Sequence, residues 1–94
     1  MADDNQKILT AIIKNREKIL YEGTAKAISA IDERGVFDIL PQHSNFISII
    51  KQHIIVHKMD GSQEEFPCRE GALRVESNVV RIYVDILLPL STKL

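Results

Sequence analysis

Gly35-Val-Phe-Asp-Ile-Leu-Pro-Gln-His-Ser-Asn-Phe-Ile-Ser-Ile-Ile50 is the stretch whose reading decides the fold. From Val36 to Ile50 it carries one formal charge, Asp38, and one histidine, His43. Pro41 divides two short apolar runs; its ring fixes φ and pushes Leu40 toward extended geometry. The pattern predicts a strand near Val36–Leu40, a turn at Pro41–Asn45 and a second strand near Phe46–Ile50. A segment this apolar is buried or faces a partner.

Downstream, His53–Met59 and Ser62–Cys68 flank Asp60-Gly61, a strong hairpin signal because a type I′ turn needs φ > 0 at both central residues. Ala72–Glu76 and Val79–Asp85 flank Ser77-Asn78, a second tight turn. In the last strand Val80, Ile82, Val84 and Ile86 share one face and Arg81, Tyr83 and Asp85 the other, the period of a half-buried strand. Pro67 places its strand at an edge or ends it. Short strands with tight turns predict an all-β fold, an antiparallel β-sandwich or flattened barrel of about 8–10 short strands.

Upstream the signals conflict. Ile8, Leu9, Ile12, Ile13, Ile19 and Leu20 fit a helical stripe that Asp4 or Asn5 would cap. The same residues are rich in β-branched types, which suit strands. Thr24–Arg34 is equally divided: Thr24 suits a helix cap and Gly35 a helix end, and alternation among Ala25, Ala27 and Ala30 is weak.

Ninety-four residues make one domain. It is expected to have a flexible terminus at 1–6, a folded body at 7–88 and a tail at 89–94. A chain of this size buries roughly 60–65% of its unfolded surface, enough for one modest core. Twelve basic groups against 13 acidic ones give no general field for nucleic acid or anionic lipid. The single Cys68 excludes an internal disulfide and a cysteine-built zinc site and suits a reducing compartment. The acidic, polar start is unlike the basic start of a signal peptide. The tail run Ile86–Leu90 is far short of a spanning helix.

Catalytic groupings are weak. His53 and His57 sit four apart: on a helix that spacing can ligate zinc, whereas on a strand both lie on one face about 13 Å apart; no cysteine or carboxylate joins them in sequence. Ser44 follows His43 directly, and neighbours on an extended chain point apart, so Ser44, His43 and Asp38 make a poor triad. Arg69 beside Cys68 favours a thiolate, yet a semi-buried strand thiol is the plainer reading. The four glycines are spread one per turn, with no phosphate-binding loop, and Glu64-Glu65 reads as a solvated pair. The chain reads as non-enzymatic, with no cofactor and no metal.

Three pieces in register carry a resemblance. Gly35-Val36-Phe37 followed by Ile39-Leu40-Pro41-Gln42-His43 resembles the GxFGILPGH-type motif of the epsilon subunit of F-type ATP synthases, called delta in mitochondria. Ile19-Leu20-Tyr21-Glu22-Gly23 resembles that family's V-L-F-E-G element. Arg74 to Asp85 resembles its final hairpin, E-V-x-x-N-x-V-T-V-L-A-D. The likeness runs from about Ile8 to about Asp85. Gln42 stands where the family usually has Gly, and Cys68-Arg69-Glu70-Gly71 stands where it tends to have Ser-Gly-Gly.

The resemblance implies the family's N-terminal β-sandwich, with strands near Ile8–Lys14, Ile19–Glu22 and Ala25–Ile31 and a charged turn at Asp32–Gly35. The C-terminal helical hairpin of bacterial members, to which inhibition of hydrolysis and, in some, ATP binding belong, is not expected in this chain, and neither are those two properties. The implied role is a non-catalytic central-stalk subunit that clamps the gamma subunit and sits on the c-ring, supporting the coupling of ion translocation to ATP synthesis. It would lie on the cytoplasmic side of the membrane, peripheral, within the complex. The carried-over contact residues are Glu33, Gly35, Val36, Phe37 and His43. Some members carry an acidic residue where Val36 stands. The alternative is a stand-alone β-sandwich interaction module unrelated to ATP synthase.

Overall fold

The structure, a computed structural model, describes residues 8–85. They form seven strands: β1 (Leu9–Lys14), β2 (Ile19–Ala25), β3 (Ala27–Asp32), β4 (Gly35–Ile39), β5 (Phe46–His57), β6 (Gln63–Glu76) and β7 (Val79–Val84). The described residues contain no helix. The expectations for residues 1–6, Ile86, the 89–94 tail and a C-terminal hairpin lie outside the described residues.

The N-terminal conflict is resolved in favour of strand. Leu9, Ala11 and Ile13 are buried while Thr10 and Lys14 are exposed, a period of two. The β-branched residues pack on a pleated surface, and tertiary pairing overrides the helical stripe.

The strands make one sheet in the order β2-β1-β7-β6-β5-β3-β4. Only Lys26 separates β2, at one edge, from β3, next to the other edge. In a flat sheet those strands would be five spacings apart, roughly 24 Å. The link from Ala25 to Ala27 reaches about 7 Å. The sheet therefore folds over on itself, and all seven strands feed one core that includes Ile13, Ala25, Ile28, Ile39, Ile54, Leu73 and Ile82. This is the layered all-β architecture expected. One pairing adds to the antiparallel pattern: β1 and β7 run parallel, with Ala11 beside Val80 and Ile13 beside Ile82.

The strands are fewer and longer than the sequence predicts. Phe46–Ile50 and His53–Met59 merge into β5, and Ser62–Cys68 and Ala72–Glu76 merge into β6. A single bulge joins the pieces. The register of β5 on β6 slips between Ile50 and Gln52, and Gln52 takes φ 72°. On β6 the buried residues pass from Phe66 and Cys68 to Gly71, Leu73 and Val75, so one extra residue flips the parity and both halves still face the core. Pro67 pairs with His53 on a part of β6 that lies beyond its described pairing with β7, which ends at Gly71 opposite Val84.

The type I′ turn expected at Asp60-Gly61 is found instead at Ser77-Asn78. At Asp60-Gly61 only Gly61 has positive φ, 93°. The Gly61 N–H donates to the Lys58 carbonyl at 3.0 Å and the Lys58 N–H to the Ser62 carbonyl at 2.8 Å. This is a three-residue loop closed by a left-handed glycine, not the expected type I′ turn. The Asp60 carboxylate accepts from the Ser62 hydroxyl and N–H, which hold it below the ordinary aspartate range. The type I′ conformation sits at Ser77 and Asn78, with φ 50° and 64°.

Candidate functional site

The decisive stretch builds a cleft. Among the described residues β4 ends the sheet at one edge and pairs with β3 alone, Ile31 opposite Val36 and Ala30 opposite Phe37. Alternation turns Phe37 and Ile39 inward and leaves Val36 outside, 71% exposed. On β5 the same alternation turns Phe46 inward and Ile47 out, also 71% exposed. Between the β3–β4 turn and the start of β5 lies a cleft of about 300 Å³, lined by Asp32, Arg34, Gly35, Val36, Phe37, His43, Phe46, Ile47 and Ser48.

Aromatic rings make its floor. Phe37 and Phe46 meet edge to face, centroids 5.9 Å apart, a favoured quadrupole arrangement. The His43 ring lies 4.9 Å from Phe46. Its Nδ1 is 2.8 Å from the Ser44 carbonyl, which can only accept. Nδ1 therefore carries the proton, and in the neutral ring Nε2 is left as an acceptor.

The loop bearing His43 is a type II turn. The His43 N–H donates to the Leu40 carbonyl at 3.1 Å, Pro41 takes the first central position and Gln42 the second, at φ 69°. Glycine suits that second position best. The loop is tied to the β6–β7 turn: the Gln42 N–H donates to Asn78 Oδ1 at 2.6 Å and the Ser77 N–H to Asn45 Oδ1 at 3.1 Å.

Gly35, Val36, Phe37 and His43 thus share one cleft. Glu33 stands apart from its lining, in the exposed turn before β4. Asp32, Arg34, Phe46, Ile47 and Ser48 line the cleft without having been singled out as contacts from sequence. The outward position of Ile47 in a period-two run was the available signal.

A second apolar strip crosses the outer face. Ile49, Ala72, Tyr83 and Lys14 follow one another across β5, β6, β7 and β1. Ile49 and Tyr83 are exposed, and the Lys14 ammonium lies 5.4 Å over the Tyr83 ring.

The polar side chains hold one another rather than a catalytic geometry. Ser29 donates to Asp38 at 2.7 Å and lies 2.8 Å from His57 Nε2. With the hydroxyl proton given to Asp38, the imidazole must donate to Ser29, the reverse of what a general base does. His53 pairs instead with Glu65 at 2.8 Å. Among the described residues no three His, Cys, Asp or Glu side chains gather as metal ligands. No described helix is long and apolar enough to cross a membrane.

Comparison with known proteins gives a consistent result. The family described as ATP synthase, Delta/Epsilon chain, beta-sandwich domain matches residues 9–89. The ATP synthase epsilon chain of Thioalkalivibrio sulfidiphilus is 35% identical over 75 residues, covering 78% of this chain and 53% of that protein. That of Nitratiruptor sp. is 28% identical over 75 residues, covering 79% and 58%. The chain therefore spans a little over half the length of these curated relatives. Among solved structures, a chain of the Euglena gracilis mitochondrial ATP synthase (OSCP/F1/c-ring) superposes with a TM-score of 0.79 at 16% identity, covering 93% of this chain and 56% of that one. A chain from the Tetrahymena thermophila mitochondrial ATP synthase central stalk/c-ring gives 0.68 at 15% identity, covering 93% and 69%. At such identities these two likenesses speak for the fold.

Proposed function

The chain belongs to the family of the ATP synthase delta/epsilon chain β-sandwich domain, and from that premise we propose that it is a non-catalytic central-stalk subunit binding the gamma subunit and the c-ring. Membership sets aside the alternative of a module unrelated to ATP synthase.

The observation that carries the proposal is the cleft. Val36 and Ile47, each 71% exposed, stand beside the Phe37–Phe46 floor. Exposed apolar side chains next to aromatic rings are the composition of an interface core. The Ile49–Tyr83 strip supplies a second surface on the same body. A part that passes torque between two partners needs two faces and little internal compliance, and one core fed by seven strands suits that need. Contact with the membrane would come through the complex, from its cytoplasmic side. Glu33, Gly35, Val36, Phe37 and His43 are the proposed contacts.

Co-purification tests this. A tagged chain expressed in its own organism should retain gamma and c subunits, identified by mass spectrometry, after detergent extraction. Recovery of neither subunit would overturn the proposal.

A further inference from the structure

The His43 loop and the β6–β7 turn are bound by a reciprocal pair of asparagines. Asn78, in the turn, accepts from the Gln42 N–H of the loop at 2.6 Å. Asn45, in the loop, accepts from the Ser77 N–H of the turn at 3.1 Å. Each side chain meets a backbone donor that its own segment leaves over. Neither N–H is engaged by the hydrogen bond that closes its turn, because the type II turn uses His43 N–H and a type I′ hairpin turn uses the residue after the two central ones. Asn78 is anchored in turn, since its carbonyl accepts from the Thr10 N–H of β1 at 2.9 Å. The loop is thereby tied through β7's turn to the parallel β1/β7 pair, far from it in sequence.

We infer that Asn45 and Asn78 are positioning residues, a two-point latch that fixes the Leu40–Asn45 loop so that His43 lies against Phe46 as one wall of the cleft. The loop's own contribution is small: a single turn, mostly exposed, between β4 and β5. Without the latch the His43 ring would sample several orientations, and a partner would have to order it on binding. Ordering costs of this kind subtract directly from affinity. With it, Nδ1 stays on the Ser44 carbonyl and Nε2 is offered as an acceptor. The partner group suited to it is a hydrogen-bond donor carried beside an apolar side chain that enters between Val36 and Ile47. This rests on the reading of the cleft as the partner site.

The test uses the full chain and pairs of variants. Asn78→Gly keeps the left-handed turn residue and the carbonyl that Thr10 uses but removes Oδ1. Asn78→Asp restores an Oδ1 acceptor at a residue equally tolerant of φ > 0. Solvent-exchange NMR at the Gln42 amide and the His43 ring signals report the latch. Affinity for a detergent-solubilised gamma–c-ring assembly reports its consequence. Asn78→Gly should speed Gln42 exchange and weaken binding by about two- to tenfold, the range of one neutral hydrogen bond, and should move the His43 signals. Asn78→Asp should return all three toward wild type, and Asn45→Ala should do to the Ser77 amide what Asn78→Gly does to Gln42. Unchanged Gln42 exchange and His43 signals in Asn78→Gly would overturn the latch. A loosened loop with unchanged affinity, in a preparation where Val36→Asp does weaken binding, would overturn the positioning role alone. If Val36→Asp also binds as wild type, the cleft is not the partner site and the positioning role falls with it, while the exchange data still judge the latch.

Discussion

Gly71 on β6 packs so closely on Tyr83 of β7 that a Cβ at Gly71 would lie 2.5 Å from the Tyr83 carbonyl oxygen. The same Cβ would be 2.9 Å from Cys68 Sγ and 3.3 Å from the Val84 Cα. Two of these three neighbours are backbone, locked in the β6–β7 ladder, and cannot step aside as a side chain can. Glycine is required here for close approach, at the bulge that lets both halves of β6 face the core. Gly71→Ala should therefore destabilise by about 1–3 kcal/mol, the usual cost of overpacking. Gly23→Ala is the comparison, because its nearest neighbours are atoms of the Tyr21 ring at 3.3 Å and beyond. Urea denaturation of both variants checks this; a Gly71→Ala variant as stable as wild type would contradict it.

Gln42 occupies a left-handed position, φ 69°, that glycine adopts without cost. A left-handed conformation costs a residue with a Cβ roughly 1–2 kcal/mol, and glycine gives back part of this as unfolded-state entropy. Gln42→Gly keeps the backbone N–H that Asn78 accepts. It should raise stability by about 0.5–1 kcal/mol, or about 2–8 °C in melting temperature for a domain of this size. Calorimetry showing a fall would mean that the Gln42 side chain outweighs the strain.

Cys68 is buried, 2% exposed. Burial pushes its thiol above the ordinary cysteine value; a hydrogen bond with the Asp85 backbone opposes this, and the charges of Asp85 and Glu70 add to it. A raised pKa means the folded state holds the proton more tightly than the unfolded chain. The resulting stability is complete below the unfolded value near 8.5 and is lost as pH rises through the folded one. Labelling by a thiol reagent at neutral pH should be slow until the chain opens, and stability should decline above about pH 8.5 in wild type but not in Cys68→Ala. Rapid labelling of the native chain would contradict the burial.

Much of this was legible in the sequence, and the failures are physical. The strands around Pro41 and the hairpins at Asp60-Gly61 and Ser77-Asn78 were readable because turn residues punctuate period-two runs. Their lengths were not: the one bulge, where Lys51 faces Arg69–Glu70, shifts the alternation of β6 and leaves a polar Lys51-Gln52 break in β5, so each looked like two strands. The turn type at Asp60-Gly61 was misassigned because Asp-Gly suits both a type I′ turn and a three-residue loop. In β1, Leu9, Ala11 and Ile13 are an alternating set, but Ile8 and Ile12 overlay a helical stripe on it. At the site, Val36, Phe37 and His43 are neighbours in sequence and were visible together. Phe46 and Ile47 across the cleft, and the Asn45–Asn78 latch spanning more than thirty residues, are products of the fold.

Whether the cleft holds a partner can be measured directly. The measurement is the affinity of the full chain for an immobilised, detergent-solubilised gamma–c-ring assembly, made with wild type, Val36→Asp and Met59→Asp. Val36 is exposed and outside the core, whereas Phe37 packs against it, so Val36→Asp isolates binding from folding. Met59, 47% exposed at the β5–β6 loop, tests whether that hairpin rather than the cleft makes the contact. Val36→Asp should weaken binding by about 1–3 kcal/mol, roughly 5- to 150-fold, with a melting temperature within about 4 °C of wild type. Met59→Asp should bind as wild type does. Unchanged affinity in Val36→Asp with a loss in Met59→Asp would place the contact on the hairpin instead, and unfolding of Val36→Asp would make Val36 a core residue; either result contradicts the account.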